Sequence, residues 1–123
     1  MKILVIEDEP IVYKTIEFKL KRDGYAVISA FDGKDGMDKI ESEKPDLILT
    51  DILMPFATGL EIVSFVRKQL KIETPIIVLS GLGQEETVLE AFELGADDYL
   101  VKPFSPNELS IRIKRQLAMK RIS

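Results

Sequence analysis

Five short apolar runs divide the chain, at residues 3–6, 25–30, 47–50, 76–79 and 99–101. They are rich in Val, Ile and Leu and do not alternate with polar positions. Strands buried on both faces have this pattern, and their usual home is a parallel sheet. Between the runs, apolar positions switch to helical spacing. Val12, Ile16 and Leu20 share one face of a first helix that Gly24 is placed to cap. Thr58-Gly59-Leu60-Glu61 has the form of a capping box ahead of Ile62, Val63, Val66 and Leu70. Ser105-Pro106-Asn107-Glu108 repeats that form ahead of Leu109, Ile113 and Leu117. Gly95 closes a helix carrying Val88, Leu89 and Phe92. The helix expected near 34–41 is the weakest, because Gly33 and Gly36 lower its propensity.

The order is a strand followed by a helix, five times over. Five strands are too few for an eight-stranded barrel. The expectation is therefore one α/β domain over residues 1–123, a single five-stranded parallel sheet doubly wound by five helices in the flavodoxin-like manner. The length suffices for one core, and no Pro-, Ser- or Gly-rich stretch offers a linker to a second. Open sheets of this kind bind ligands outside the carboxyl ends of their strands, so chemistry is sought in those loops.

Composition removes several alternatives. The chain has no cysteine and no histidine, which excludes disulfides, thiolate or imidazole metal sites, and Ser-His-Asp or Cys-His catalysis. A net charge of −4 gives no general attraction to nucleic acid or to an anionic membrane. No apolar run approaches the roughly 20 residues that span a bilayer. The first run meets acid after four residues, too short for a signal peptide, and a cytoplasmic location is expected.

The strand ends collect Glu7-Asp8-Glu9, Thr50-Asp51, Ser80-Gly81 and Lys102-Pro103. Carboxylates held close together raise one another's pKa unless a cation intervenes. Hard carboxylate oxygens suit Mg²⁺, which keeps several waters and takes one or two protein carboxylates. A hydroxyl, a lysine and a divalent metal together describe a cradle for phosphoryl oxygens, and a carboxylate among them can act as nucleophile. Each residue alone has a plainer role: Asp51 a loop acid, residues 7–9 favourable charge ahead of Pro10, Lys102 a surface lysine, Ser80 a turn residue. Their joint occurrence at four strand ends favours the site.

Over essentially its whole length the chain resembles a receiver domain of a two-component response regulator. The resemblance rests on Ile3-Leu4-Val5-Ile6-Glu7-Asp8-Glu9, on Pro45-Asp46-Leu47-Ile48-Leu49-Thr50-Asp51-Ile52-Leu53-Met54-Pro55, and on Gly95-Ala96-Asp97-Asp98-Tyr99-Leu100-Val101-Lys102-Pro103-Phe104. It implies that Asp51 accepts a phosphoryl group from a sensor histidine kinase or a phosphotransfer protein. It implies Mg²⁺ (or Mn²⁺) held by Asp8 and Asp51, by Glu7 through water, and by the backbone carbonyl of Leu53. By the same resemblance Ser80 and Lys102 stabilise the phosphoryl group, Ser80 and Tyr99 form the switch, and Pro103 follows a cis peptide bond. The implied protein is a switch and not a metabolic enzyme. It would control a downstream effector domain or protein through the face of helix four, strand five and helix five, without binding nucleic acid or membrane itself. A phosphorylation-dependent homodimer is a further implied partner.

The departures carry information. Glu7 stands where aspartate is more usual, and the loop Phe56-Ala57-Thr58-Gly59 lacks the acid often found before the glycine, although Thr58 can still cap. Glu85, Glu86, Glu90 and Glu93 lie on helix four, where dimerising receivers usually place basic residues. That counts against the homodimer, although Asp97, Asp98, Arg112 and Arg115 suit it. Leu53 and Leu82, two residues beyond Asp51 and Ser80, are apolar and cannot orient an attacking water, so a long-lived phosphoryl state is expected. Leu53 also stands where a phosphohydrolase acting through an aspartyl-phosphate would keep its general acid. The acidic first loop argues likewise against a flavodoxin-like cofactor module. The basic residues Lys114, Arg115, Lys120 and Arg121 are expected to form a solvated helix face.

Overall fold

The computed structural model describes residues 1–54 and 57–122, the side chains of 120–122 excepted. Pro55, Phe56 and the side chains of Lys120 and Arg121, named above for the loop and the basic face, lie outside that description. Strands β1 (Lys2–Ile6), β2 (Ala26–Ala30), β3 (Leu47–Asp51), β4 (Ile76–Ser80) and β5 (Asp98–Val101) form one parallel sheet in the order β2-β1-β3-β4-β5. The helices are α1 (Pro10–Arg22), α2 (Gly33–Glu43), α3 (Gly59–Ser64), α4 (Glu85–Leu94) and α5 (Pro106–Ile122). The expected doubly wound α/β fold is present. Alternation along each strand divides the core. Leu4, Ile6, Ile48, Ile76 and Val78 pack with residues of α2, α3 and α4, while Ile3, Val5, Leu49, Ile77 and Leu79 pack with those of α1 and α5.

The strand order dictates which apolar runs are fully covered. β3 and β4 are buried at every residue, as expected of strands covered on both faces. β2 and β5 are not, because they are the sheet edges: β2 is half-exposed, and β5 alternates buried Asp98 and Leu100 with exposed Tyr99 and Val101. The chain leaves β1 for β2 on one side and returns to β3 on the other. The topological switch point therefore lies between β1 and β3, where their carboxyl ends open a crevice.

Local chemistry sets the helix ends. After α1, Gly24 adopts φ +95°, its N–H donating to Lys21 while that of Tyr25 donates to Leu20, a Schellman closure that only a left-handed residue permits. Thr58 and Ser105 accept from the amides of Glu61 and Glu108, as the capping boxes predict. α3 continues through a π-turn at Phe65–Gln69, where the helix was expected to run regularly to Leu70. The glycines of α2 have a steric reason. A Cβ on Gly36 would lie 2.6 Å from Ile6 Cδ1, and one on Gly33 2.4 Å from the Ala57 carbonyl oxygen. Helix propensity gives way here so that α2 can lie directly on the end of β1 and on the loop after β3. Asp32 compensates by capping α2 through the amide of Asp35 at 2.8 Å.

Candidate functional site

Parallel register brings the ends of β1 and β3 level, with Ile6 opposite Thr50, so Glu7, Asp8 and Asp51 emerge side by side. One carboxylate oxygen from each lies within 4.8 Å of the others. Glu7 is fully buried, Asp51 is 7% exposed, and Asp8 faces solvent. Lys102, just beyond β5, reaches across the crevice. Its Nζ donates to Asp51 Oδ2 at 2.9 Å, lies 2.8 Å from Glu7 Oε1, and approaches Glu9 Oε1 at 3.8 Å. Glu7 Oε1 is thus buried against the Lys102 ammonium, while Oε2 accepts from the Glu9 amide at 3.1 Å. The Lys102–Pro103 peptide bond is cis.

Burial and charge pull against each other in this crevice. Desolvation is the largest influence on Glu7 and raises its carboxyl to about 7. The hydrogen bonding and charge of Lys102 and the Glu9 amide oppose that rise, while the neighbouring charge of Asp51 adds to it. Burial alone would depress Lys102, but hydrogen bonding and charge from Glu7 and Asp51 outweigh it, and the ammonium is held above its ordinary range. The result is an excess of carboxylate over cation with one permanently charged lysine in its midst. Its hard oxygen donors suit a small divalent cation.

The remaining residues named from sequence are less closely gathered. Leu53 presents its N–H 3.4 Å from Asp51 Oδ1, and its side chain is 58% exposed. Ser80 is buried at the end of β4; its hydroxyl donates over a long 3.5 Å to the Leu100 carbonyl and not to Asp51, while its carbonyl accepts from the Lys102 amide at 2.7 Å. Tyr99 lies half out on the β5 edge, its ring edge-on to Phe92 with centroids 5.9 Å apart.

Two supports escaped the sequence reading. Gly59, seen there only as part of a cap, donates to the Ile52 carbonyl at 2.8 Å, and a Cβ on it would come within 2.6 Å of the Asp51 carbonyl oxygen. Backbone cannot move aside as a flexible side chain would. Gly59→Ala is therefore expected to cost about 1–3 kcal/mol in denaturant unfolding and to displace Asp51. Unchanged stability would show that the loop yields freely. Arg67 is the second. It donates to the Gly95 and Ile72 carbonyls at 3.0 and 2.9 Å and pairs with Asp97 at 2.8 Å, stitching the π-turn to the start of β4 and the approach to β5. An arginine inside an amphipathic helix gives no such signal in sequence.

Known proteins share this fold. A family model described as the response regulator receiver domain matches residues 3–114. The alkaline phosphatase synthesis transcriptional regulatory protein PhoP of Bacillus subtilis (strain 168) is 42% identical over 122 residues, which cover 99% of this chain and 50% of that protein. The chain thus spans about half the length of that relative. The receiver domain of the Francisella response regulator 1452 matches at TM-score 0.89 and 38% identity, over 99% of this chain and 98% of that one. A response regulator receiver domain protein from Clostridium thermocellum matches at TM-score 0.92 and 32% identity, over 98% and 97%. The chemotaxis response regulator CheY4 of Vibrio cholerae matches at 0.86 and 34%, over 94% and 97%. Fold and sequence match over nearly the whole chain, which belongs to the response regulator receiver domain family of two-component signalling.

Proposed function

We propose that Asp51 is the phosphoacceptor of this receiver and that its phosphorylation by a sensor histidine kinase or phosphotransfer protein switches a downstream effector. The observation that carries this reading is Lys102 Nζ seated between Asp51 Oδ2 and Glu7 Oε1 where three carboxylates converge. Asp8, Asp51, Glu7 and the Leu53 carbonyl are the groups that would hold Mg²⁺ or Mn²⁺. The convergence of one carboxylate oxygen from each of Glu7, Asp8 and Asp51 within 4.8 Å of one another supports that fit. Bound there, the divalent ion would offset repulsion between these carboxylates and the incoming phosphoryl oxygens.

In the transfer, a carboxylate oxygen of Asp51 attacks phosphorus, the phosphorus–nitrogen bond to the donor imidazole breaks, and that imidazole departs with the bonding pair. Lys102 keeps its charge throughout and exchanges carboxylate contacts for a phosphoryl oxygen. Ser80 gives up little by turning toward the new group, because its present bond to Leu100 is at the limit of hydrogen-bond length. Its movement leaves room for Tyr99 to change rotamer, which carries the signal to the β5 edge. Leu53, two residues beyond Asp51, offers no general acid at that position, which supports a switch over a turnover enzyme. Leu53 and Leu82, 58% and 84% exposed, follow the ends of β3 and β4 by two residues and offer no polar group there. Radiolabel on purified phosphoprotein is expected to persist for minutes or longer, and its loss within seconds would refute the apolar-flank argument. The switch itself is tested with beryllofluoride as phosphoryl mimic. Amide resonances of Ser80 and Tyr99 should shift and effector affinity should change, whereas equal affinities in both states would sink the switch.

A further inference from the structure

Before the first residues of β4 and β5, at the end of the sheet opposite the acidic crevice, a cleft of about 640 Å³ opens between the π-turn and α5. Sites for small molecules occupy roughly 300–1,000 Å³. β4 runs five residues from this end to Ser80, which sets the cleft roughly 15 Å from the phosphoryl chemistry.

Gln116 is the residue here that packing does not explain. α5 turns Leu109, Ile113 and Leu117 into the core, and Gln116 lies beside them at 5% exposure while bordering the cleft. Its amide makes no hydrogen bond among the described residues. Burying an amide without a partner is costly, so packing alone would favour an apolar side chain at this position.

The other groups of the cleft define what would satisfy it. Arg67 commits one N–H each to Gly95, Ile72 and Asp97 and retains two more. Asp97 Oδ2 accepts from both Arg67 and the Ile76 amide, which leaves Oδ1 open among the described residues. Glu73 is exposed and, among the described residues, has no ion pair. This inventory rejects the simplest ligands. A phosphate would meet the unpaired Glu73 and an arginine already neutralised by Asp97. A bare metal ion would meet that same guanidinium, and a wholly apolar molecule would leave Gln116 unpaired. A cationic donor at one end of the ligand and a carboxylate at the other answer both sets of groups.

We propose that this cleft binds a free α-amino acid with an apolar side chain. Its carboxylate takes the Gln116 amide and the remaining N–H groups of Arg67. Its ammonium takes Glu73 and Asp97 Oδ1, and its side chain lies on Met119, which borders the cleft at 53% exposure. The site stands apart from the switch reading, since none of its residues belongs to the acidic crevice.

The test titrates the isotope-labelled full chain with L-leucine, with N-acetyl-L-leucine, which lacks the ammonium, and with L-leucinamide, which lacks the carboxylate. L-Leucine at millimolar concentration should shift the side-chain N–H resonances of Gln116 and Arg67 and leave the amides of Asp8 and Asp51 in place. Each blocked form should bind about tenfold or more weakly. E73Q, at an exposed position, should weaken L-leucine by about two- to fivefold and leave N-acetyl-L-leucine unaffected. Q116L should abolish binding and raise the denaturation midpoint of the free chain, because it removes the unpaired amide. A lower midpoint for Q116L would show that the amide is already satisfied and would overturn the proposal. So would equal binding of the three leucine compounds, or the absence of shifts at Gln116 and Arg67 with L-leucine, L-valine, L-methionine and L-phenylalanine alike.

Discussion

Asp51→Asn is expected to abolish phosphoryl incorporation from any donor kinase or from acetyl phosphate while leaving the chain folded. An amide cannot take the place of the attacking carboxylate, and no other carboxylate shares its position. Asp8 is exposed to solvent, and Glu7 is sealed beneath Lys102 with a carboxyl raised to about 7. Stability should change by less than about 2 kcal/mol, because the lost contact with Lys102 is partly offset by relief of the repulsion between Asp51 and Glu7. Intact-mass measurement after incubation with donor and Mg²⁺ reads the first effect, and denaturant unfolding reads the second. Full labelling of the asparagine variant would move the phosphoacceptor elsewhere in the crevice.

Much of this was legible in the chain because buried parallel strands leave continuous apolar runs and because their carboxyl ends follow at once in sequence. Glu7, Asp8, Asp51 and Lys102 could be nominated without coordinates, since each directly follows, or ends, an apolar run. What was not legible depended on neighbours distant in sequence. The exposure of β2 and β5 comes from strand order. The demand for glycine at 36 and 59 comes from Ile6 and Asp51, which meet those positions only in the folded chain. Arg67 spends its guanidinium on groups up to thirty residues away. The acid run on α4 was visible at once, but only the structure shows that Phe92 meets Tyr99 beside it.

Glu7 makes the stability of the metal-free chain depend on pH in an unusual direction. Its carboxyl rises from an ordinary 4.5 to about 7, chiefly by burial, so the folded chain holds this proton more tightly than the unfolded chain. The associated stability is complete below the unfolded value and is lost as pH climbs through about 7. A shift of that size bounds the loss at about 3 kcal/mol. In chelator, unfolding free energy should therefore fall between about pH 5 and pH 8.5, and Glu7→Gln should flatten the decline. Lys102→Met should steepen it, because removing the cation leaves Glu7 and Asp51 facing each other uncompensated, at a cost of about 3–5 kcal/mol near neutrality. That deficit should shrink in acid, where Glu7 carries its proton and no longer needs the lysine. Mg²⁺ should stabilise the wild type more at high pH than at low, because cation and proton compete for the same carboxylates. A flat pH profile in chelator, unchanged by Glu7→Gln, would show that water or relaxation satisfies Glu7 and that Lys102 serves the phosphoryl group alone.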